Sequence, residues 1–398
     1  MTDFFDTLET RSTDERAAAQ LAQLQNRLTE ASASDDWKQK AGSIKCLDDL
    51  RNMPILRKSN LSQWQKDMPP FGCIRTSNIT HYFQSPGPIY EPGRMQGDWW
   101  RLGRFLHATG VRASDIVQNC FSYHLTPAGM MFESAAQAVG AKVLPAGTGQ
   151  TELQVEAAAH LGCTAYAGTP DYLKIILDKA DEMGRELYFT RAAVGGGALF
   201  PSLRAEYADR GIQCLQCYAT ADLGNIAYES AAMEGMIVDE GVIVEIVTPG
   251  TGIPVAEGEV GEVIVTALNP DYPLIRFATG DLSAVLTGQS PCGRSNMRIK
   301  GWMGRADQTT KIKGMFVRPE QVAALVARHP EVAKARITAT RVGEQDTMAV
   351  QVEAEGADIA ALETSVQATL KLRGAVEIVP LGSLPKDGLV IDDQRKYD

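Results

Sequence analysis

The chain reads as an α/β protein: a large N-terminal domain of mainly parallel sheets flanked by helices, with a β-rich subdomain, then a small α+β C-terminal domain. Three observations predict this. Strand-like and helix-like stretches alternate between residues 109 and 194, the mark of βαβ units. After Tyr228 the strands become β-branched, with Gly and Pro between them, as hairpins require. Beyond Gly304 a self-contained set of short elements makes a unit of about 95 residues, small but within the usual domain range. The expected domains are therefore 1–303 and 304–398.

In chain order, residues 14–32 place Ala and Leu at helical spacing among charges, an amphipathic helix. A short apolar run covers 116–121. A helix is expected over 130–139, a strand over 142–144, a helix over 151–161 and a strand over 165–167. A helix over 171–183 and a strand over 191–194 complete the alternation. Strands follow over 242–247 and 260–266, and 287–296 reads as a polar surface loop. The last unit carries helices over 319–328 and 358–372, with strands over 335–340, 347–354 and 376–380.

Composition narrows the function. The chain has 398 residues, 44% hydrophobic and 22% charged, with a formal net charge of −10. This is ordinary globular usage, and an acidic chain lacks the clustered cations that nucleic acid needs. No stretch is apolar for the roughly 18–20 residues a bilayer span needs. The acidic start Met1-Thr2-Asp3-Phe4-Phe5-Asp6 does not read as a signal peptide. Seven scattered cysteines do not form a disulfide framework, and the Cys214/Cys217 pair reads as a reduced strand position. A cytoplasmic protein is expected, with no nucleic-acid or membrane partner and a homodimer left open.

The chemistry-bearing residues lie between Gly195 and Lys313. Gly195-Gly196-Gly197-Ala198 follows the strand ending at Val194, where glycines let a flat ligand approach the backbone. Gln216-Cys217-Tyr218-Ala219-Thr220-Ala221-Asp222 is a strand end running into a polar turn. Arg276-Phe277-Ala278-Thr279-Gly280-Asp281 and Gly304-Arg305-Ala306-Asp307 follow, then Lys311-Ile312-Lys313-Gly314. In this order and spacing the set resembles the adenylate-forming superfamily, in particular its phenylacetate–CoA ligase branch. Gly147-Thr148-Gly149-Gln150-Thr151-Glu152-Leu153-Gln154-Val155 is similar to a Gly-Met-Thr-Glu-Arg-Gln-Val segment of that branch. The resemblance runs from about Leu56 to the C-terminus.

The resemblance implies an ATP-dependent acid–CoA ligase: an acyl-adenylate forms first, then a thioester with CoA. An aryl or arylacetic acid is the expected small-molecule substrate, and ATP, Mg2+ and CoA the expected cofactor and co-substrates. The 195–198 turn and the 216–221 segment would bind the nucleotide, with Tyr218 stacking on adenine. Asp281 would take the ribose hydroxyls, Arg305 would lie by the ribose and phosphate, and Asp222 would hold Mg2+. Asp307 would be the hinge for the small domain. The acid pocket would draw on Phe121, Tyr123, His124, Gly147 and Ala219. The aromatics read equally as core, and His124 as a hydrogen-bonded core histidine.

Departures from the family pattern matter as much. Its phosphate loop is rich in Ser, Thr and Gly and ends in Lys-Pro. The corresponding stretch here is Ser85-Pro86-Gly87-Pro88-Ile89-Tyr90-Glu91-Pro92. Ser85, Gly87 and Pro92 keep the expected chemistry, while Glu91 stands where the lysine would be. Ala221 replaces a hydroxyl residue. Leu389 occupies the place of the catalytic lysine, with Lys386 and Lys396 nearby. Only Cys292 remains of a Cys-x-Cys-Gly-Arg zinc segment, so no structural zinc is expected. Two rival readings follow: an adenylating transferase to a non-CoA acceptor, or an impaired nucleotide- or acyl-CoA-binding protein.

Overall fold

The structure is a computed structural model that describes residues 4–30, 42–72, 74, 76–197, 199–249, 251–303, 306, 310–317, 319–342, 345–385 and 390–395. It divides into two compact units, Met1–Met303 and Gly304–Asp398. The positions named above at Ala198, Arg305, Asp307, Lys386, Leu389 and Lys396 lie outside the described residues.

The first unit opens with helix α1 (Thr13–Glu30), whose Leu24 and Leu28 are buried against Ile44, Leu50 and Ile275. Strand β1 (Leu56–Arg57) leads directly into α2 (Lys58–Asp67). A hairpin follows, β2 (His81–Ser85) with β3 (Ile89–Gly93), then α3 (Gly103–Ala108). The βαβ run is β4 (Ile116–Asn119), α4 (Ala128–Ala138), β5 (Lys142–Pro145), α5 (Thr151–Leu161), β6 (Ala165–Gly168), α6 (Pro170–Glu182), β7 (Arg191–Val194), α7 (Pro201–Asp209) and β8 (Gln213–Thr220). Its boundaries follow local chemistry: α6 and α7 each start on a proline, and α5 ends on left-handed Gly162. Strand β6 is buried along its whole length, as parallel strands covered on both faces are.

Strands β5, β4, β6, β7 and β8 pair in parallel in that order. The sheet then turns antiparallel through β9 (Gly224–Tyr228), β10 (Met236–Val238), β14 (Arg298–Ile299), β13 (Leu274–Leu286), β12 (Val260–Ala267) and β11 (Val242–Val247). The β-rich part thus continues the ladder from β8. Strand β1 adds to β13 in parallel, Leu56 opposite Phe277 and Arg57 opposite Ala278.

One expectation is corrected. Residues 287–296 form a loop, but its Ser290 and Arg294 are buried. Glu9, itself buried, accepts from Arg294 Nε at 2.5 Å and from the Tyr228 hydroxyl at 2.8 Å. A distant N-terminal carboxylate thereby roofs a segment whose own composition is polar.

The second unit is a four-stranded sheet, β19 (Ala375–Val379), β18 (Gln345–Ala354), β17 (Val332–Val342) and β20 (Ile391–Asp393) in that order, with a small hairpin β15 (Thr310–Ile312) and β16 (Met315–Val317). Helices α8 (Pro319–Arg328) and α9 (Ile359–Leu370) give Val322, Leu325, Leu362 and Val366 to one core with Ile337, Val350 and Val352 of the strands.

Candidate active site

The first unit's candidate site forms around the C-terminal ends of β4, β7 and β8, where ligands of open α/β sheets bind. Gly195 leaves β7 beneath the Cys217 sulfur; a Cβ there would meet it at 2.9 Å. Gly196 has φ of 70°, a conformation that favours glycine. The Gly197 carbonyl accepts from Gln216 Nε2 at 2.9 Å, which ties the glycine turn to β8.

Strand β8 carries Cys217 and Tyr218 into the core. Its turn into β9 is tight because Gly224, at φ of 71°, lies against the Trp100 backbone; a Cβ would come within 2.7 Å of that carbonyl. The turn holds Asp222, which is 6% exposed. Lys58 Nζ meets its Oδ2 at 2.9 Å, while Oδ1 is buried with no hydrogen-bond partner. Lys58 is the first residue of α2 and reaches this point because β1 clips the preceding residues to β13. Arg276 fixes that clip. It is 2% exposed, pairs with Glu245 at 3.0 Å, and donates to the carbonyls of Arg51 and Met53.

Asp281 on β13 faces Tyr218. The tyrosine hydroxyl donates to Oδ2 at 2.8 Å and Trp302 Nε1 donates to Oδ1 at 3.0 Å. The structure therefore brings Gly195, Gly196, Gly197, Gln216, Tyr218 and Asp222 around the ends of the neighbouring strands β7 and β8, with Asp281 reaching Tyr218 from the middle of β13. Thr220 Oγ1 accepts from the Leu223 amide at 3.1 Å and shapes the turn; Ala219 is half-buried and Ala221 stands in the turn beside Asp222.

Ser85 and Glu91 lie on the buried face of the β2–β3 hairpin, and Gly87 in its turn. Glu91 is 1% exposed with neither carboxyl oxygen hydrogen-bonded. Burial, with the Asp222 charge adding to it, pushes Glu91 up to about 8. Ser85 stands close enough to temper that rise, yet not in hydrogen-bonding geometry. For the expected Mg2+ these atoms fit. Asp222 Oδ1 and the Glu91 oxygens are orphaned, buried and hard, the donor chemistry the ion takes.

The acid-pocket candidates separate. Asn119 at the end of β4 donates to the Tyr123 hydroxyl at 2.8 Å and to the Gly129 carbonyl at 2.7 Å. Phe121 is buried and stacks on Phe132 at 4.3 Å, so it is core as well as wall. The Gly147 amide donates to the Asn119 carbonyl, and a Cβ on Gly147 would lie 4.0 Å from the Tyr123 ring. Phe121 also faces Gly196 at 3.8 Å by the same measure. His124, by contrast, is exposed, which corrects its reading as a core histidine.

Sequence reasoning missed Lys58, Asn119, Trp302 and Gln154. The last donates to the Gly147 and Gly149 carbonyls and accepts from Gln118, buried beneath the 146–149 loop. Only its place in the family-like segment hinted at this. At Cys292, Ser290 Oγ lies 3.0 Å from the sulfur and Arg294 at 3.6 Å.

No family model matches the chain. It is 28% identical over 375 residues to a phenylacetate-coenzyme A ligase of Aromatoleum evansii, covering 87% of this chain and 84% of that one. A phenylacetate-coenzyme A ligase of Escherichia coli is 27% identical over 96% of this chain and 94% of its own. Among solved structures, 2-hydroxyisobutyryl-CoA ligase with 2-HIB-AMP and CoA in the thioesterification state gives a TM-score of 0.82 at 23% identity, covering 98% and 92%. The same enzyme in an open conformation gives 0.70 at 22% identity. The chain is thus similar over most of its length to phenylacetate-coenzyme A ligases and has the fold of 2-hydroxyisobutyryl-CoA ligase.

Proposed function

We propose that the chain is an ATP-dependent acid–CoA ligase that activates a small carboxylic acid, of aryl or arylacetic type, as its adenylate and passes the acyl group to CoA. The observation that carries this is the pairing of Tyr218 with Asp281 and of Asp222 with Lys58 about the end of β8. The carboxylate of Asp281 is the acceptor proposed for the ribose hydroxyls, a charge-assisted pairing. The Gly195–Gly197 turn leaves room for a flat base. Phe121, Tyr123 and Gly147 offer an aromatic wall to the acid.

Lys58 supplies a cation at the phosphate end, and its side chain is 41% exposed, so it can leave Asp222 for a phosphate oxygen. Bound Mg2+ would supply charge neutralisation there, with Asp222 as its protein ligand. The thiol of CoA is itself the nucleophile of the second step, so no side-chain nucleophile is needed. No helix among the described residues is long and apolar enough to cross a membrane, which supports a cytoplasmic site of action.

A second reading rests on Glu91. A carboxyl where the family places a lysine favours a binder of nucleotide or acyl-CoA without turnover. Pyrophosphate release from ATP with a panel of aryl acids separates the readings. Release that requires CoA supports the ligase, release without CoA an adenylating transferase, and nucleotide binding without release the binder.

A further inference from the structure

The β2–β3 hairpin pairs Phe83 with Glu91 and Ser85 with Ile89. Residues opposite one another in an antiparallel pair share a face, and alternate residues along a strand do too. All four side chains therefore point inward, and all four are buried. Phe83 and Ile89 suit that face; Ser85 and Glu91 do not. Ser85 Oγ and both Glu91 oxygens lack hydrogen-bond partners. Opposite them, Asp222 Oδ1 is in the same condition.

An independent observation comes from another strand region. Tyr272 is 2% exposed and its hydroxyl also lacks a partner. That hydroxyl lies within electrostatic reach of both Asp222 and Glu91, and Glu91 within reach of Asp222. The neighbouring Gln65, which tempers the burial-driven rise of the Tyr272 pKa, donates to the Tyr90 carbonyl at 2.7 Å and accepts from the Tyr90 amide at 2.8 Å. Buried polar groups are nearly always satisfied. Five orphaned oxygens, three of them from two different carboxyl groups, describe a site suited to something positively charged.

We propose that Glu91 and Asp222 jointly ligate a hard divalent cation that the protein holds before any nucleotide arrives, with Ser85 Oγ and Tyr272 Oη on the same polar wall. The proposal rests on reading this hairpin as the phosphate side of the site. It turns the departure at position 91 into an exchange: a fixed ammonium is replaced by a ligand for a bound dication. Lys58 competes for the same aspartate, since an ammonium and a dication repel one another.

The test is a titration of Mn2+ into the nucleotide-free full chain, followed by loss of the electron paramagnetic resonance signal of the free ion. One Mn2+ per chain is expected, displaced by Mg2+, with binding about 10-fold or more weaker in Glu91→Gln and in Asp222→Asn. Lys58→Met keeps both carboxyl groups and should tighten binding by about 3-fold or more, because a competing charge is gone. Absence of saturable binding in the parent overturns the proposal, as does a folded Glu91→Gln chain that binds as tightly as the parent. If pyrophosphate release is normal while nucleotide-free Mn2+ binding is absent, this site fails and the ligase reading stands. If Mn2+ binds as expected and release never occurs, the site stands and the ligase reading fails.

Discussion

The Tyr218 hydroxyl donates to Asp281 Oδ2 across the space between β8 and β13 at 2.8 Å. Trp302 secures the other oxygen at 3.0 Å, so the carboxylate is oriented before any ligand binds. Preorganisation of this kind lowers the ordering cost of binding.

Asp281→Ala should therefore weaken AMP binding by about 1.5–3 kcal/mol, the worth of hydrogen bonds to a charged group. Tyr218→Phe keeps the ring and should cost less, about 0.5–1.5 kcal/mol. Calorimetric titration of AMP into each variant measures both. Unchanged affinity in Asp281→Ala would remove the ribose assignment.

Glu91 gives a prediction about pH and stability. Its folded pKa, raised by burial and by Asp222 to about 8, lies above the ordinary 4.5. Between those values the folded chain holds a proton that the unfolded chain has released. Stability from this group is therefore complete below the ordinary value and is lost as pH rises towards about 8, with a slope of at most about 1.4 kcal/mol per pH unit. Glu91→Gln removes that slope. In metal-free buffer, urea midpoints of parent and variant should converge near pH 4.5 and separate in favour of the variant as pH approaches 8. Parallel curves across the window would show that Glu91 ionises freely.

How much was legible beforehand follows from where the information sits. Most of the βαβ run was readable because its elements carry their own signals, such as the alanine-rich helical spacing in α5 and the proline that opens α6, while α7 was not expected. The helix Thr151–Leu161 and the strand Arg191–Val194 have the expected bounds. Tyr218 and Asp281 stood out because their motifs are local. Lys58 did not, since it meets Asp222 only after β1 has paired with β13. The 287–296 loop was misjudged because its burial comes from Glu9, far away in sequence.

That Glu9 contact predicts a stability effect. Glu9 also accepts from the Phe5 amide at 2.6 Å, so the carboxylate is fully engaged, and its pair with Arg294 is shielded from water on both sides. Removing one partner of a buried pair strands the other charge. Glu9→Ala should cost about 3–5 kcal/mol in urea unfolding. Adding Arg294→Met to it should recover part of the loss, because the stranded cation is gone. If the double variant is less stable than Glu9→Ala, the pair is not the dominant interaction.

Leu389 gives the sharpest test of the ligase reading. The family resemblance places a lysine here that stabilises negative charge on phosphorus during adenylation, and a leucine supplies none. Stabilising a developing charge with one aimed group is worth about 3–4 kcal/mol. Leu389→Lys should then raise the adenylation rate about 100-fold or more, measured as pyrophosphate exchange. Thioester formation from synthetic acyl-adenylate should hardly change, because the resemblance implies that this lysine acts only in the adenylation conformation. Lys386→Ala is the control. A large loss of exchange in that variant would mean Lys386 already fills the role, and Leu389→Lys would then add little. A parent that exchanges briskly, with neither variant altering the rate, would place the stabilising charge elsewhere. Lys58 and the cation proposed for Glu91 and Asp222 would then be the groups to test, and loss of exchange in Lys58→Met or Glu91→Gln would identify which one acts.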